Sequence, residues 1–240
     1  MRGWRAPDYA DFVALGSCFD CQSRQCVGVI TRHFISFEGG EGAGKSTQLK
    51  RLAKRLTGLG HHVVVTREPG GSTGAESIRD LLVNGPVERW SPMTETLLMY
   101  ASRRDHLERV IEPALAKGSV VLCDRFHDST RAYQGAGGGV SEDFILALEQ
   151  ACLDKIRPSL TLMLDLPVGE GLARAAGRGE MEARFEAKGE AFHARLRSGF
   201  LAIAKAEPDR CCVIDAAQSM DAVEAAIWQR VQAHLAAGRS

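Results

Sequence analysis

A glycine-rich stretch directly after a short apolar run carries the clearest chemistry in this sequence. Residues 39–46 read Gly-Gly-Glu-Gly-Ala-Gly-Lys-Ser and match the pattern G-x-x-x-x-G-K-[ST]. The glycines let backbone N–H groups wrap a polyphosphate, Lys45 can reach its outer phosphates, and the hydroxyl of Ser46 can bind Mg²⁺. The stretch therefore predicts a site for a nucleoside triphosphate, formed by Gly39, Gly40, Glu41, Gly42, Ala43, Gly44, Lys45, Ser46 and Thr47.

The neighbouring residues support this interpretation of the loop. Residues 34–37, which are apolar or small, precede it, and leucines at helical spacing follow it, among them Leu49, Leu52 and Leu56. An ordinary glycine-rich turn between a strand and a helix is the alternative. Strand, loop and helix nevertheless all fall where the motif requires them, and a helix N-terminus adds a partial positive charge that favours phosphate. We therefore interpret the stretch as a phosphate-binding loop.

Short apolar runs alternate with helical repeats along the rest of the chain. Strands are predicted over 34–37, 63–66, 120–124, 160–166 and 211–215. The run that starts at Val120 is apolar up to its terminal aspartate, which is typical of a parallel strand buried on both faces. We predict an α/β fold, a three-layer sandwich of the P-loop NTPase type, in which helices cover both faces of one five-stranded parallel sheet.

Composition and charge narrow the classes of partner. The 240 residues include 30 basic and 30 acidic side chains, which gives no electrostatic reason to expect binding to nucleic acid or to a membrane surface. No apolar run approaches the roughly 20 residues that span a bilayer. Seven cysteines, an odd number for a disulfide scaffold, fit reduced thiols. We predict a cytoplasmic protein without nucleic-acid or membrane partners.

The first 32 residues lack sustained periodicity. Arg2 and Arg5 before a short apolar run resemble a signal peptide faintly, but Asp8 and Asp11 interrupt it. Cys18, Cys21 and Cys26 have the spacing C-x-x-C-x-x-x-x-C, which matches no paired zinc-binding pattern. We predict that residues 1–32 are a poorly ordered extension or translated sequence upstream of the true start. Residues 33–240 are predicted to form a single domain.

A glycine-punctuated stretch near the end of the chain is rich in arginine: Arg174, Arg178, Arg184, Arg195 and Arg197. One interpretation is a solvated helix face whose arginines pair with nearby glutamates. The other is a mobile lid, over about 169–190, whose guanidinium groups close on transferring phosphates. The phosphate-binding loop favours the lid.

Three classes of protein use such a loop: GTPase switches, motor-type ATPases and small-molecule kinases. The guanine-binding pattern N-K-x-D and the pattern D-x-x-G after the third strand are both missing, and neutral charge does not suggest an ATPase machine on nucleic acid. A kinase needs arginines that hold the phosphate of its acceptor. Four lie in segments expected at the carboxyl edge of the sheet, where ligands bind in open α/β folds: Arg67, Arg79, Arg103 and Arg125.

Three blocks of sequence resemble the bacterial thymidylate kinase family, and the match runs from about His33 to Leu235. They are the loop 38–47, the run Thr66-Arg67-Glu68-Pro69-Gly70-Gly71, and Asp124-Arg125-Phe126 continuing through Ser129-Thr130-Arg131-Ala132-Tyr133-Gln134. The first block alone indicates only a phosphate-binding loop, whereas the other two, in this order and spacing, are highly specific. The resemblance implies phosphoryl transfer from ATP·Mg²⁺ to dTMP, giving dTDP and ADP for dTTP synthesis.

The resemblance also assigns roles to residues. Lys45 and the loop amides would hold the ATP phosphates, with Ser46 and Asp124 at the Mg²⁺, although a strand-end cap is the alternative role for Asp124. The residues assigned to dTMP are Glu41, Arg79, Met99, Arg103, Arg125, Ser129, Thr130, Tyr133 and Gln134. The residues assigned to catalysis are Lys45, Asp124, Arg125 and the lid arginines Arg178 and Arg184. Family members are homodimers, and the helix predicted over about 93–116 is a candidate interface.

Within the dTMP site the implied contacts are specific. Glu41 would contact the sugar 3′-hydroxyl, and Arg79 and Arg125 would hold the phosphate. Arg103 would bond the edge of thymine, and the ring of Tyr133 would pack near the sugar C2′ and disfavour ribonucleotides. Pro69 resembles a position that is often cis.

Two positions depart from the pattern of the family. Met99 stands where the family commonly stacks a phenylalanine on thymine, and Tyr100 would point roughly 100° away from it on a helix. In the lid, Ala183 replaces an acidic residue before Arg184. The alternative functions are another nucleoside monophosphate kinase, or a P-loop protein that binds nucleotide without transferring phosphate.

Overall fold

The computed structural model of the protein describes residues 33–153, 155–176 and 188–237. The extension predicted over 1–32, the lid arginines Arg178 and Arg184, and Ala183 lie outside the described residues. The fold that positions the site is built entirely from the described parts.

Five parallel strands form one sheet in the order β2-β3-β1-β4-β5. Their bounds are Phe34–Glu38 (β1), Val63–Arg67 (β2), Val120–Asp124 (β3), Leu160–Asp165 (β4) and Cys211–Asp215 (β5). The strands are short runs rich in β-branched and other apolar residues, which suit a pleated, buried surface. The predicted α/β class and five-stranded parallel sheet are confirmed.

Helices connect the strands on both sides of the sheet. The α-helices are Lys45–Gly58 (α1), Thr73–Val83 (α2), Pro92–His106 (α3), Glu112–Ala116 (α4), His127–Thr130 (α5), Glu142–Leu153 (α6), Val168–Ala176 (α7), Glu190–Ala206 (α8) and Met220–Ala237 (α9). A 3₁₀ turn spans Val87–Arg89, and π-helical segments span Leu107–Ile111 and Arg131–Gly137. The helix predicted over 93–116 is therefore three consecutive segments. No helix in the described part of the chain is long and apolar enough to cross a membrane.

Alternating side chains of the strands divide between two layers of core. Ile35 and Phe37 face a cluster with leucines of α1 and the apolar face of α9. Phe34 faces the opposite cluster, which includes Leu107, Ile111 and residues of α4 and α6. A third cluster joins α8 to the segment 131–137. Because the three central strands β1, β3 and β4 are buried on both faces, the sheet is a rigid middle layer between the helices.

The register of the central strands brings three loops to one edge of the sheet. Phe37, next to the end of β1, pairs with Asp124, the last residue of β3. Arg67, the last residue of β2, pairs with the same Asp124. All strands are parallel, so the loops after β1, β2 and β3 leave the sheet side by side at its carboxyl edge, where ligands bind in such folds.

Candidate active site

The phosphate-binding loop runs from the end of β1 to the start of α1 and has no room for side chains at two glycines. A Cβ on Gly39 (φ +133°) would lie 2.3 Å from the carbonyl oxygen of Leu164, and one on Gly42 (φ +70°) would lie 2.1 Å from that of Gly171. Both residues also have left-handed backbone angles that glycine adopts readily. The motif therefore needs these glycines for the shape of the loop.

Lys45, the first residue of α1, folds back over the loop. Its Nζ donates hydrogen bonds to the carbonyl oxygens of Gly39 at 3.1 Å and Gly40 at 2.7 Å. The ammonium group is therefore held above the loop at the N-terminus of a helix, and both features favour bound phosphate.

Ser46 and Asp124 meet at the same edge, although 78 positions separate them in sequence. The Ser46 hydroxyl donates a hydrogen bond to the Asp124 carboxylate. A hydroxyl and a carboxylate are hard oxygen donors, which Mg²⁺ prefers, and Mg²⁺ commonly takes few protein ligands beside water and phosphate. No group of three or more His, Cys, Asp or Glu side chains suited to a metal occurs within the described ranges. This pair therefore fits a site of the Mg²⁺–nucleotide type.

Arg125 links the phosphate-binding loop to the residues after β3. Its Nη1 donates to the Gly39 carbonyl at 2.9 Å and to the Ser129 hydroxyl at 3.3 Å, and its Nη2 lies 3.5 Å from a Glu41 oxygen. The backbone of Arg125 has φ +68°, which is uncommon for a residue with a side chain. Such strain marks a position that surrounding contacts hold in place.

Glu38 supplies two of those contacts, and the sequence analysis did not assign it a role. The fully buried carboxylate accepts hydrogen bonds from the backbone N–H of Phe126, at 2.7 Å, and from the hydroxyl of Ser129. Burial, together with the negative charge of Asp128, raises the pKa of Glu38 well above 4.5. Its position directly before the first glycine of the motif was the one available signal.

Glu41 is a buried acid within the phosphate-binding loop. It accepts a hydrogen bond from the hydroxyl of Tyr133, and His193 Nδ1 lies 3.4 Å from its other oxygen. Burial would raise the pKa of Glu41, but the interaction with His193 and the charges of Arg125 and Lys45 outweigh it and bring the pKa down to about 2. Glu41 is therefore ionised and ties the loop to α8 and to the segment 131–137.

An open cleft lies beside Arg125 at the carboxyl edge. It brings together seven of the predicted substrate residues: Met99, Arg103, Arg125, Ser129, Thr130, Tyr133 and Gln134. Arg79 does not line it, but its guanidinium donates to the carbonyl of Pro69, a lining residue, at 2.8 Å. Glu41 borders a neighbouring cavity and touches Tyr133, which lines the cleft. The Glu68–Pro69 bond is cis, as the resemblance implied.

Arg103 is the principal buried cation of this cleft, with 2% of its surface exposed. Its Nε donates to Glu68 at 2.7 Å, and its Nη2 donates to the carbonyl of Phe126 and to the hydroxyl of Thr130, both at 3.1 Å. Its Nη1 is buried and has no hydrogen-bond partner among the described residues. A buried, unpaired donor that borders an open cleft is available to an acceptor on a ligand.

Tyr100 does not take the place of the aromatic residue that Met99 replaces. Tyr100 is 1% exposed, its ring stacks on the guanidinium of Arg103 at 4.7 Å, and its hydroxyl donates to Glu149 at 3.4 Å. Met99 itself is half-buried and lines the cleft. At the position where the family commonly has a phenylalanine, the cleft is therefore lined by the thioether side chain of Met99.

A chain of buried hydrogen bonds behind Arg103 escaped the sequence analysis. Glu68 accepts from Arg103 with one oxygen and from Nδ1 of His106, at 3.0 Å, with the other. Nε2 of His106 lies 2.7 Å from the Thr66 hydroxyl. Because a carboxylate only accepts, His106 carries a proton on Nδ1. Glu68 and Thr66 belong to the second sequence block, so the block supports the guanidinium as well as forming the cleft.

A separate, open cavity borders the phosphate-binding loop and the start of α9. It is lined by Gly42, Ala43, Gly44, Thr47, Gln48, Arg174, Ala216, Gln218, Met220 and Val223. The guanidinium of Arg174 donates to the Ala216 carbonyl at 3.1 Å and closes one side. The sequence analysis missed the residues after β5, although β5 ends at the same edge of the sheet. Because it borders the phosphate-binding loop, we call it the nucleotide cavity.

The arginines of the arginine-rich stretch differ in their surroundings. Arg197 makes a bidentate ion pair with Asp165, at 2.7 and 2.8 Å, and Arg195 donates to the carbonyl of Gly137. These two arginines support the packing of α8. Arg174 borders the nucleotide cavity, while Arg178 and Arg184 lie outside the described residues.

The fold and this edge define a P-loop protein with a nucleotide cavity and a second, acceptor cleft, which is the layout of a small-molecule kinase. Comparison with known proteins identifies the family. Residues 37–227 match the family model Thymidylate kinase, and the chain belongs to the thymidylate kinase family. It is therefore an enzyme that phosphorylates dTMP to dTDP with ATP, in dTTP synthesis.

Known thymidylate kinases are similar to this chain over most of their length. The thymidylate kinase of Caulobacter vibrioides is 68% identical over 194 residues, which cover 81% of this chain and 93% of the relative. That of Bradyrhizobium sp. (strain BTAi1) is 51% identical over 204 residues, 84% of this chain and 90% of the relative. The crystal structure of thymidylate kinase from Ehrlichia chaffeensis superimposes with a TM-score of 0.68 at 35% identity, covering 83% of this chain and 97% of that one.

Proposed function

We propose that the γ-phosphoryl group of ATP passes to the dTMP phosphate at the boundary between the phosphate-binding loop and the acceptor cleft. One observation carries this proposal: Arg125 touches both, since its guanidinium contacts Gly39 of the loop and Ser129 of the cleft. Two phosphates that meet at this boundary repel each other. Cations at fixed positions offset that repulsion and align the reacting oxygens, which is most of what phosphoryl transfer asks of a protein.

Lys45 and Arg125 are the proposed catalytic cations in the described part of the chain. Lys45, at the helix N-terminus, would bind the outer phosphates of ATP, and Arg125 would bind the phosphate of dTMP. Arg79 would be a second cation that binds the dTMP phosphate. Its guanidinium donates a hydrogen bond to the carbonyl of cis-Pro69, which lines the cleft. Glu41 is hydrogen-bonded to Tyr133 and lies near His193. Its carboxylate would accept a hydrogen bond from the 3′-hydroxyl of the sugar.

Ser46 and Asp124 are the residues that would hold Mg²⁺. The contact between their oxygens at the edge of the sheet is the observation that supports this assignment. The ion supplies charge neutralisation on the phosphates when bound. The chain would contribute two oxygen ligands, one from the first turn of α1 beside Lys45 and one from the end of β3.

Arg103, Gln134 and Met99 would bind thymine. The unpaired Nη1 of Arg103 supports a hydrogen bond to a carbonyl oxygen of the base, and Met99 offers a polarizable surface to its face. The ring of Tyr133 lies 4.9 Å from the Arg125 guanidinium, at the sugar end of the cleft, where it would leave little space for a 2′-hydroxyl.

The lid remains a proposal from sequence. Arg178 or Arg184 would stabilise the charge of the transferring phosphoryl group. If one of them does, its replacement by alanine lowers kcat by roughly a hundredfold or more while the KM for dTMP changes little. Arg197→Ala is the control in the same region, because Arg197 is paired with Asp165.

A homodimer through α3 is proposed as the working form. Met93 and Leu97 on this helix are 48% and 47% exposed, and large apolar side chains on one helix support an interface there. Leu97→Glu should convert dimer to monomer in light scattering after gel filtration. Leu59→Glu, at an exposed site beyond α1, should leave the mass unchanged. A wild-type monomer would contradict the proposal.

The cytoplasm is the proposed compartment. Cys123, Cys152, Cys211 and Cys212 are free thiols in the described part of the chain, which fits a reducing environment.

The test of the proposed reaction is ADP release from ATP·Mg²⁺ with one monophosphate at a time: dTMP, dUMP, dCMP, dGMP, UMP and AMP. We expect dTMP to be preferred, with dUMP weaker. Turnover with a different monophosphate would keep the phosphate sites and contradict the thymine contacts. Absence of turnover with all six would contradict the assignment of the whole edge.

A further inference from the structure

A hydrogen bond between two buried side chains lies at the end of the acceptor cleft. Nε2 of Gln134 donates to Oε1 of Glu95 at 2.8 Å. Glu95 is 3% exposed and Gln134 is 2% exposed. Gln134 belongs to the π-helical segment 131–137, and such segments are frequent at functional sites. Glu95 was not among the predicted site residues.

The chemistry of this bond fixes which way the Gln134 amide faces. A carboxylate has only acceptor oxygens, so the group that faces Glu95 must be the NH₂ end of the amide. The carbonyl oxygen of Gln134 then faces away from Glu95. The described residues place no donor on it, and Gln134 lines the cleft. The cleft therefore presents an acceptor at Gln134.

Two positively polarised groups lie beside the Glu95 carboxylate. Glu95 lies in the first turn of α3, where the helix N-terminus favours negative charge. The ammonium group of Lys188 lies 4.0 Å from the same Oε1. Neither feature offers the Gln134 amide a second orientation.

Acceptor and donor in the cleft match one kind of pyrimidine edge. Arg103 presents an unpaired donor from Nη1, and Gln134 presents an acceptor. A 4-oxopyrimidine has a carbonyl oxygen at position 4 and an N–H at position 3, which complements this pair. A 4-aminopyrimidine has the reverse pattern, with an amino group at position 4 and a bare nitrogen at position 3.

We propose that Glu95 is a specificity-determining positioning residue, which locks the Gln134 amide so that the cleft selects 4-oxopyrimidine over 4-aminopyrimidine nucleotides. The inference rests on the proposed thymine site. It adds that rejection of cytosine depends on a carboxylate that acts through Gln134. Discrimination is strong at such sites because the wrong ligand leaves buried polar groups unpaired.

Glu95 lies on the same face of α3 as the residues that line the cleft. Positions 95, 99 and 103 are four residues apart, so one helix face carries the orienting acid, Met99 and Arg103. A single rigid helix therefore sets both the donor and the direction of the acceptor.

The test uses Glu95→Gln, which has nearly the same shape and can both donate and accept. The amide of Gln134 can then pair in either orientation. We expect the inhibition constant of dCMP against dTMP, divided by the KM for dTMP, to fall by roughly tenfold, the usual effect of relieving one buried hydrogen-bond mismatch. The ratio of KM values for dUMP and dTMP should not change, because uracil and thymine share the same edge.

Three further variants isolate the effect. Glu149→Gln changes another buried glutamate, which contacts Tyr100 instead of Gln134, and should leave the dCMP ratio as in wild type. In a Gln134→Ala background, Glu95→Gln should have no further effect on the ratio, since Glu95 acts through that amide. Glu95→Ala removes the acceptor without adding a donor, and it replaces Glu95→Gln in the test if the glutamine variant does not fold.

The outcomes separate the inference from the proposed function. An unchanged dCMP ratio in a folded Glu95 variant overturns the inference, as does an equal loss of affinity for dTMP, dUMP and dCMP. If Gln134→Ala leaves the wild-type rejection of dCMP intact, the thymine assignment of the cleft itself is wrong.

Discussion

Replacement of Arg103 should separate two effects that one guanidinium combines. Arg103 neutralises the buried carboxylate of Glu68, and its Nη1 is the donor proposed for thymine. Both side chains of this ion pair are nearly inaccessible, at 2% and 3% exposure. Arg103→Met removes the charge and the donor and keeps much of the volume.

The expected magnitudes follow from burial. Arg103→Met removes one of the two side chains that pair with the buried Glu68 and leaves His106 as the other, and breaking such a pair costs about 3–5 kcal/mol of unfolding free energy. A charge-assisted hydrogen bond to the base contributes about 1.5–3 kcal/mol, so the KM for dTMP should rise by roughly 10- to 150-fold. The KM for ATP should stay near its wild-type value, because Arg103 does not border the nucleotide cavity.

The double variant Arg103→Met/Glu68→Gln distinguishes the two effects. Removal of both charges should restore most of the stability, since replacing a whole buried pair is often nearly neutral. The KM for dTMP should remain high, because the donor is still missing. Urea denaturation and steady-state kinetics measure the two quantities. Recovery of the dTMP KM in the double variant, or an equal rise in both KM values, would refute the assignment of Arg103 to the base.

Three other substitutions test separate parts of the site. Lys45→Ala should lower kcat by roughly a hundredfold or more, since it removes the ammonium from the phosphates, and near-normal kcat would contradict the phosphate-loop assignment. Met99→Phe should lower the dTMP KM by about 2- to 10-fold through stacking worth about 0.5–1.5 kcal/mol, and an unchanged KM would mean that the base does not contact this wall. Glu38 has a raised pKa, so its contribution to stability is complete below its ordinary pKa of 4.5 and is lost as the pH rises toward and beyond neutrality. Glu38→Gln should remove that part of the pH dependence in urea denaturation at pH 5–8, and an unchanged slope would contradict the raised pKa.

Local patterns predicted most of the fold. The apolar runs located all five strands to within a residue. The central strands β1, β3 and β4 are buried on both faces and therefore leave a nearly unbroken apolar signal. The π-helical turn Leu107–Ile111 inside the helix predicted over 93–116 was not visible, since it leaves the apolar pattern almost unchanged.

Part of the candidate site could likewise be predicted from local sequence patterns, and part could not. The phosphate-binding loop is local, and Lys45 and Ser46 could be assigned from eight consecutive residues. The resemblance named most of the acceptor cleft, including Arg103 and Gln134. It assigned no role to Glu38, Glu95 or His106, which act by holding other residues of the site in position.

The sequence by itself determined the strand–helix alternation, the phosphate-binding loop and the kind of chemistry, because each is written in neighbouring residues. Only the tertiary structure decided how the side chains of the candidate site are oriented. Glu95 meets Gln134 across 39 positions, and Glu38 meets Phe126 across 88. The parallel register at the carboxyl edge and the packing of α3 against segment 131–137 bring these pairs together, and hydrogen-bond direction then fixes what each side chain presents to a ligand.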